Sequence, residues 1–188
     1  MKYINLFKEH TQYEDYMDSS LKYLPALSYC ENINDTHLDI EPIIIAKFNV
    51  VNTTSGINIG SSGINKAEEI YIDGSKLETI VHNYIFDTSG IHTVKYKFPY
   101  NTSTLDSYTF SGCSDMVSIK LPSCITSLND AVFANCHSLT SVGGIGSGAS
   151  VEIPYKVTTL NNYLFQNCMG LITVDIPNNI TAINYEAF

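Results

Sequence analysis

Apolar positions in the second half of the chain recur with a long period. Phe110, Phe133, Phe165 and Phe188 are spaced 23, 32 and 23 residues apart, and Cys113, Cys136 and Cys168 follow the first three at a constant offset. Leu105, Leu128, Leu160 and Ile183 keep this spacing, as do Asp106, Asn129, Asn161 and Asn184, and Pro99, Pro122, Pro154 and Pro177. A 23-residue unit therefore recurs about three and a half times, with a nine-residue insertion, Gly143 to Val151, in one copy. Such a period denotes a solenoid, whose coils bury their apolar faces only by stacking on one another. The unit reads M-V-S-I-K-L-P around Met116 and L-I-T-V-D-I-P around Leu171. A short strand there points Met116, Ile119 and Leu121 inward, then Leu139 and Val142, then Leu171, Val174 and Ile176. The Phe and Cys columns are expected to be buried in register. The Asp/Asn column reads as a tight corner, because these residues tolerate left-handed backbone. The glycine-rich stretch Gly143 to Gly148 reads as a flexible surface loop.

Residues 41–98 carry strand patterns. Ile43 to Val51 is apolar and β-branched, and Glu69 to Asp73 runs into an Asp73-Gly74 turn signal. A second turn follows Tyr84 to Phe86. From Ile91 to Phe98 the chain alternates, with Val94, Tyr96 and Phe98 on one face and Lys95 and Lys97 on the other. Residues 1–40 form a third zone. Thr11 and Glu14 make a capping box ahead of a short helix, roughly 12–17, and an extended stretch follows Pro25. The three zones predict a mainly β protein: a small Tyr-rich α+β segment (1–40), a β domain (41–98) and the solenoid (99–188).

Charge narrows the range of functions. The net charge is −9, all ten basic residues are lysine, and there is no arginine or tryptophan. Without arginine the bidentate phosphate clamp is missing, so nucleic acid is not an expected partner. No run of the sequence is long and apolar enough to span a bilayer, and the N-terminus lacks the apolar core of a signal peptide. The five histidines are scattered, no Cys/His spacing fits a zinc site, and no nucleophile elbow or phosphate loop occurs. No catalytic residue, metal ligand or cofactor is predicted.

The repeat unit is similar to the BspA-like leucine-rich repeat. Leu139-Thr140-Ser141-Val142, Ile176-Pro177, Ile180-Thr181-Ala182-Ile183, Ala187-Phe188 and the three ladder cysteines fit its pattern over about 90 residues. Asn or Asp stands where that family usually has Gly. The stretch from Tyr84 to Phe98 resembles the closing hairpin of bacterial Ig-like and PKD-like β domains. Phe7 to Tyr16, followed by Leu24-Pro25-Ala26-Leu27-Ser28-Tyr29-Cys30, resembles a leader on proteins of gut phages and their hosts.

These resemblances imply a non-enzymatic, surface-exposed binding or adhesion protein. The favoured setting is a phage virion, as a fibre or decoration protein; the alternatives are a secreted bacterial adhesin and a purely structural decoration. Tyr3, Phe7, Tyr13, Tyr16 and Tyr29 would dock the chain onto other virion or surface proteins. A host surface glycan or protein would meet the outward residues of the solenoid strands: Val117, Ser118, Lys120, Thr140, Ser141, Glu152, Ile172, Thr173 and Asp175. Self-association is left open. Taken alone, this solenoid face is polar and almost without net charge, so its binding is expected to depend weakly on salt.

Overall fold

The structure is a computed structural model of the chain and describes residues 42–188. The expected helix at 12–17, the extended stretch after Pro25 and the docking residues Tyr3, Phe7, Tyr13, Tyr16 and Tyr29 lie outside the described residues.

The protein is mainly β. Its strands are β1 (Ile43–Val50), β2 (Ile57–Asn58), β3 (Glu69–Ile72), β4 (Ser75–Lys76), β5 (Asn83–Tyr84), β6 (Gly90–Lys97) and β7 (Thr104–Leu105). Then follow β8 (Met116–Lys120), β9 (Ser127–Leu128), β10 (Ser141–Gly144), β11 (Val151–Ile153), β12 (Thr159–Leu160), β13 (Thr173–Val174) and β14 (Ala182–Ile183). A single 3-10 turn, Ser62–Lys66, is the helical element among the described residues. The alternation read at Ile91 to Phe98 is present: Val94, Tyr96 and Phe98 are buried and Lys95 and Lys97 are not. Asp73 and Gly74 both have positive φ, as the tight hairpin turn between β3 and β4 requires.

One eight-stranded sheet runs in the order β13-β10-β11-β8-β1-β6-β3-β4. The repeat strands β8, β11, β10 and β13 pair in parallel, whereas β1 pairs antiparallel with both β8 and β6. The sheet thus crosses from residues 41–98 into the repeats without a break. Its inner face carries one continuous row, Ile72, Val94, Ala46, Ile119, Val151, Val142 and Val174, set by the strand register. All but Val174 are buried.

Opposite this sheet the repeats stack through small parallel pairs, β7 with β9 and β12 with β14. Each copy closes on its Phe. Phe110, Phe133, Phe165 and Phe188 are stacked, with successive ring centroids 6.1, 5.4 and 5.5 Å apart. Backbone hydrogen bonds from Phe110, Phe133 and Phe165 to Val132, Leu164 and Ala187 tie each copy to the next. The cysteines are buried beside them, and the Cys136 and Cys168 thiols donate to the Phe110 and Phe133 carbonyls at 3.1 Å each. Burial raises the Cys168 thiol to about 11 and pushes Cys113 and Cys136 up as well, so all three stay protonated.

Residues 41–98 close the start of this stack. The buried Tyr96 ring meets Phe110 edge-on at 5.2 Å, and its hydroxyl donates to the Ile59 carbonyl. The 3-10 turn presses Gly63 against Thr109 so closely that a Cβ there would collide with the threonine side chain. At the other end Val174, Ile183 and Phe188 are exposed, and Leu171 and Ile176 only half buried. The expected inward position of Val174 is therefore not a buried one.

Two local expectations are corrected. The Asp/Asn column is not left-handed. Positive φ falls two residues later, at Tyr108, Ala131, Tyr163 and Glu186, and again at Gly112, Asn135 and Asn167. Two of these side chains instead bridge copies: Asn184 donates to Asn161 at 3.2 Å, and Asn161 to the Leu128 carbonyl at 2.8 Å, while Asp106 pairs with Lys66 and Asn129 accepts from Ser127. Nor is the insertion a loose loop. It returns the chain to the sheet as β11, inserted between β8 and β10. Ser150 fixes it: its hydroxyl donates to the Ser141 carbonyl at 2.6 Å and accepts the Thr140 and Ser141 amides, while its own amide donates to the Ser141 hydroxyl. Gly146 and Gly148 make the tight return with positive φ.

Candidate binding face

Alternation along each strand that buries the Ile119–Val142 row turns the intervening residues outward. The strand register gathers these into rows across the sheet. One row runs Glu152, Lys120, Ile45, Lys95, Tyr71, Lys76, from β11 through β8, β1, β6 and β3 to β4. Next to it, Ser118 pairs with Lys47 and Lys47 with Thr93. On the repeat side Ser141 pairs with Thr173. On the opposite flank Lys97 lies between Ile43 and Glu69.

Each expected site residue has a definite place. Lys120 and Glu152 are neighbours across β8 and β11, and Ser141 and Thr173 across β10 and β13. Lys120, Thr140, Ile172, Thr173 and Asp175 are exposed; Ser118, Ser141 and Glu152 are half buried. Thr140 and Ile172 flank the strands and are joined by the Ile172 amide, which donates to the Thr140 carbonyl. Asp175 is held at the far edge by its amide, which donates to Val142. Val117 is the exception. It is the extra residue of a β-bulge, where Lys47 faces Ser118 but Phe48 faces Met116, so it has no partner in the rows. Two of these residues also hold the insertion: the Ser141 hydroxyl accepts Ser150, and Glu152 accepts the Gly148 amide at 2.9 Å.

The face is larger and more basic than the repeats alone suggest. Ile45, Lys47, Tyr71, Thr93 and Lys95, from outside the repeats, belong to it. The alternation of Lys95 and Lys97 was visible in the sequence; the pairing of β1 with β8, which brings them beside Lys120, was not. The solenoid's own charged positions, Lys120, Glu152 and Asp175, stay close to balance; with the strands outside the repeats added, Lys47, Lys76, Lys95, Lys97 and Lys120 stand in or beside these rows against Glu69, Glu152 and Asp175.

Glu69 is the electrostatic centre of one flank. A hydrogen bond from Lys76 at 2.5 Å, with a second from the Tyr71 hydroxyl at 2.7 Å, lowers its carboxyl to about 2. Lys97 adds its charge at 3.7 Å. The same bonds raise Tyr71 and Lys76 above their ordinary values. Lys95 lies over the Tyr71 ring, 4.3 Å from its centre. At the sheet's end, Asp73 accepts from buried His92 at 2.6 Å. Burial opposes ionisation of Asp73, but the bonds from His92 and the Thr93 amide outweigh it and hold its carboxyl low.

Among the described residues, no group of three or more His, Cys, Asp or Glu side chains is arranged to hold a metal ion, and no helix is long and apolar enough to cross a membrane. No curated protein and no solved structure matches the chain. Residues 143–188, about a quarter of the sequence, match the sequence model of the BspA type leucine rich repeat region (6 copies). The copies before residue 143 share the stacked Phe, the buried Cys and the left-handed positions of the matched part. In residues 143–188 the chain is similar to BspA-type repeats, which are typically surface-associated, non-enzymatic binding modules.

Proposed function

We propose that this protein is a non-enzymatic adhesion component of a phage virion, a fibre or decoration protein, whose exposed sheet face contacts a host surface glycan or protein. In this reading residues 41–98 are an Ig-like β part, and residues 99–188 carry about three and a half 23-residue coils. Residues 1–40, through Tyr3, Phe7, Tyr13, Tyr16 and Tyr29, join the chain to other virion proteins. The reading is carried by the outer face of the eight-stranded sheet, whose rows are exposed or half buried among the described residues and are backed by a buried apolar row. A rigid platform of outward polar side chains lowers the entropic cost of binding.

The similarity to BspA-type repeats also favours a second reading, a bacterial surface or secreted adhesin with the same face and no particle. Mass spectrometry of purified phage particles separates the two. The chain found in particles, and lost from them when residues 1–40 are deleted, supports the virion reading. Presence only on cells or in the medium supports the adhesin.

A further inference from the structure

On the outer face, from β8 to β4, lysines occupy every second strand. In the row of Lys120, Ile45, Lys95, Tyr71 and Lys76, the lysines stand on β8, β6 and β4. Two strand spacings separate them, about 9–10 Å. Ile45 and the Tyr71 ring fill the intervening positions. Lys47 sits beside this row, and the neighbouring positions offer hydroxyls from Thr93 and Ser118, with Ser141 and Thr173 farther along the repeats. Glu69 takes part of the positive charge of Lys76 and Lys97, Glu152 on β11 stands beside Lys120, and Asp175 lies at the far edge, so five lysines face three carboxylates and the surplus is centred on Lys95, Lys47 and Lys120. Lys120 and Lys47 are exposed, and Lys95 is half buried over Tyr71. This cationic strip lies on a chain whose net charge is −9.

We infer that the face binds a linear anionic glycan, one bearing carboxylate or sulfate groups, laid across the strands. This rests on the adhesion reading and names its ligand class. Evenly spaced lysines match a polymer with regularly spaced single charges. The hydroxyl positions alongside match sugar hydroxyls, and the apolar ring and Ile45 match the sugar's C–H faces. Nucleic acid fits less well. No arginine is present to fork a phosphate, and Tyr71 is the one aromatic in the rows, so no run of bases finds stacking platforms.

The test uses the full chain and four probes: polygalacturonate, heparin, neutral dextran and single-stranded oligothymidylate, measured by calorimetry at about 0.15 M and about 1 M salt. Binding of either anionic glycan but not dextran, weakened at high salt, is expected. The double variant Lys95→Gln/Lys120→Gln should lose about tenfold or more in affinity. Lys66→Gln/Lys156→Gln, matched in charge but outside the rows, should bind as the parent does, and thermal unfolding of both variants checks that the fold is intact. Equal binding by the two variants, or no binding of either anionic glycan, overturns the inference. Tighter binding of oligothymidylate than of the glycans overturns the glycan assignment. If the chain still attaches to cells in any of these cases, the adhesion reading survives and only its ligand class falls.

Discussion

Tyr96 meets Phe110 edge-on at a centroid distance of 5.2 Å, and this contact joins two stretches of sequence with different periods. Tyr96 belongs to an alternating antiparallel strand; Phe110 is the first ring of a column that repeats every coil. A solenoid needs a terminal cap to cover its first apolar rung. Here the cap is the β1–β6 part of the same sheet, so capping and extension of the sheet are achieved together.

Removing a ring from the column should be costly. Phe133 is buried and stacked on both sides, between Phe110 and Phe165. Phe133→Ala is expected to destabilise by about 3–5 kcal/mol in urea unfolding, since it removes apolar contacts and leaves a cavity. A loss below about 1 kcal/mol would mean that the column does not hold the coils together.

Acid should weaken the fold through Glu69. A carboxyl whose folded value lies below its ordinary one stabilises the fold above the ordinary value and loses that contribution as pH falls. For Glu69 the loss falls between 4.5 and about 2. The variant Glu69→Gln should flatten the stability profile across this window, measured by thermal unfolding at stepped pH. An unchanged slope would show that Lys76, Lys97 and Tyr71 do not hold the carboxylate in solution.

One buried hydroxyl works against stability. Ser123 is buried, and its Oγ has no hydrogen-bond partner among the described residues. Ser123→Ala removes the unsatisfied group at little cost in packing and should stabilise by about 1 kcal/mol. Destabilisation of similar size would reveal a partner, such as a bound water, at that oxygen.

The repeat was legible because identical residues recur at fixed offsets, and buried columns demand identity. The left-handed corners were half legible. Gly112, Asn135 and Asn167 are residue types that favour positive φ, whereas Tyr108, Ala131, Tyr163 and Glu186 are not, and tertiary stacking imposes the conformation there. Asp106, Asn129, Asn161 and Asn184 misled because the same side-chain types serve equally well as hydrogen-bond partners, between copies at Asn161 and Asn184 and locally at Asn129. The insertion was read from its glycines, but its last residues, Ser150 and Val151, carry the information that makes it a strand: a hydroxyl that fastens the return and a β-branched residue that fits the inner row. The binding face could not be assembled from sequence, because it depends on the long-range pairing of Ala46 with Ile119, which no local pattern encodes.

The central claim is that the outer sheet face is the binding surface, and cell attachment tests it most directly. The fluorescent chain of residues 1–188, and its variant Ser118→Gln/Thr140→Gln/Thr173→Gln, are incubated with a panel of intestinal anaerobes and counted by flow cytometry. The substitutions lengthen three outward side chains without changing charge, at positions that are exposed or half buried. The account predicts that the parent chain attaches to at least one strain and that the folded variant attaches at about a tenth of that level or less, a loss of about 1.4 kcal/mol. Attachment by the variant equal to that of the parent would contradict it and move the site off this face.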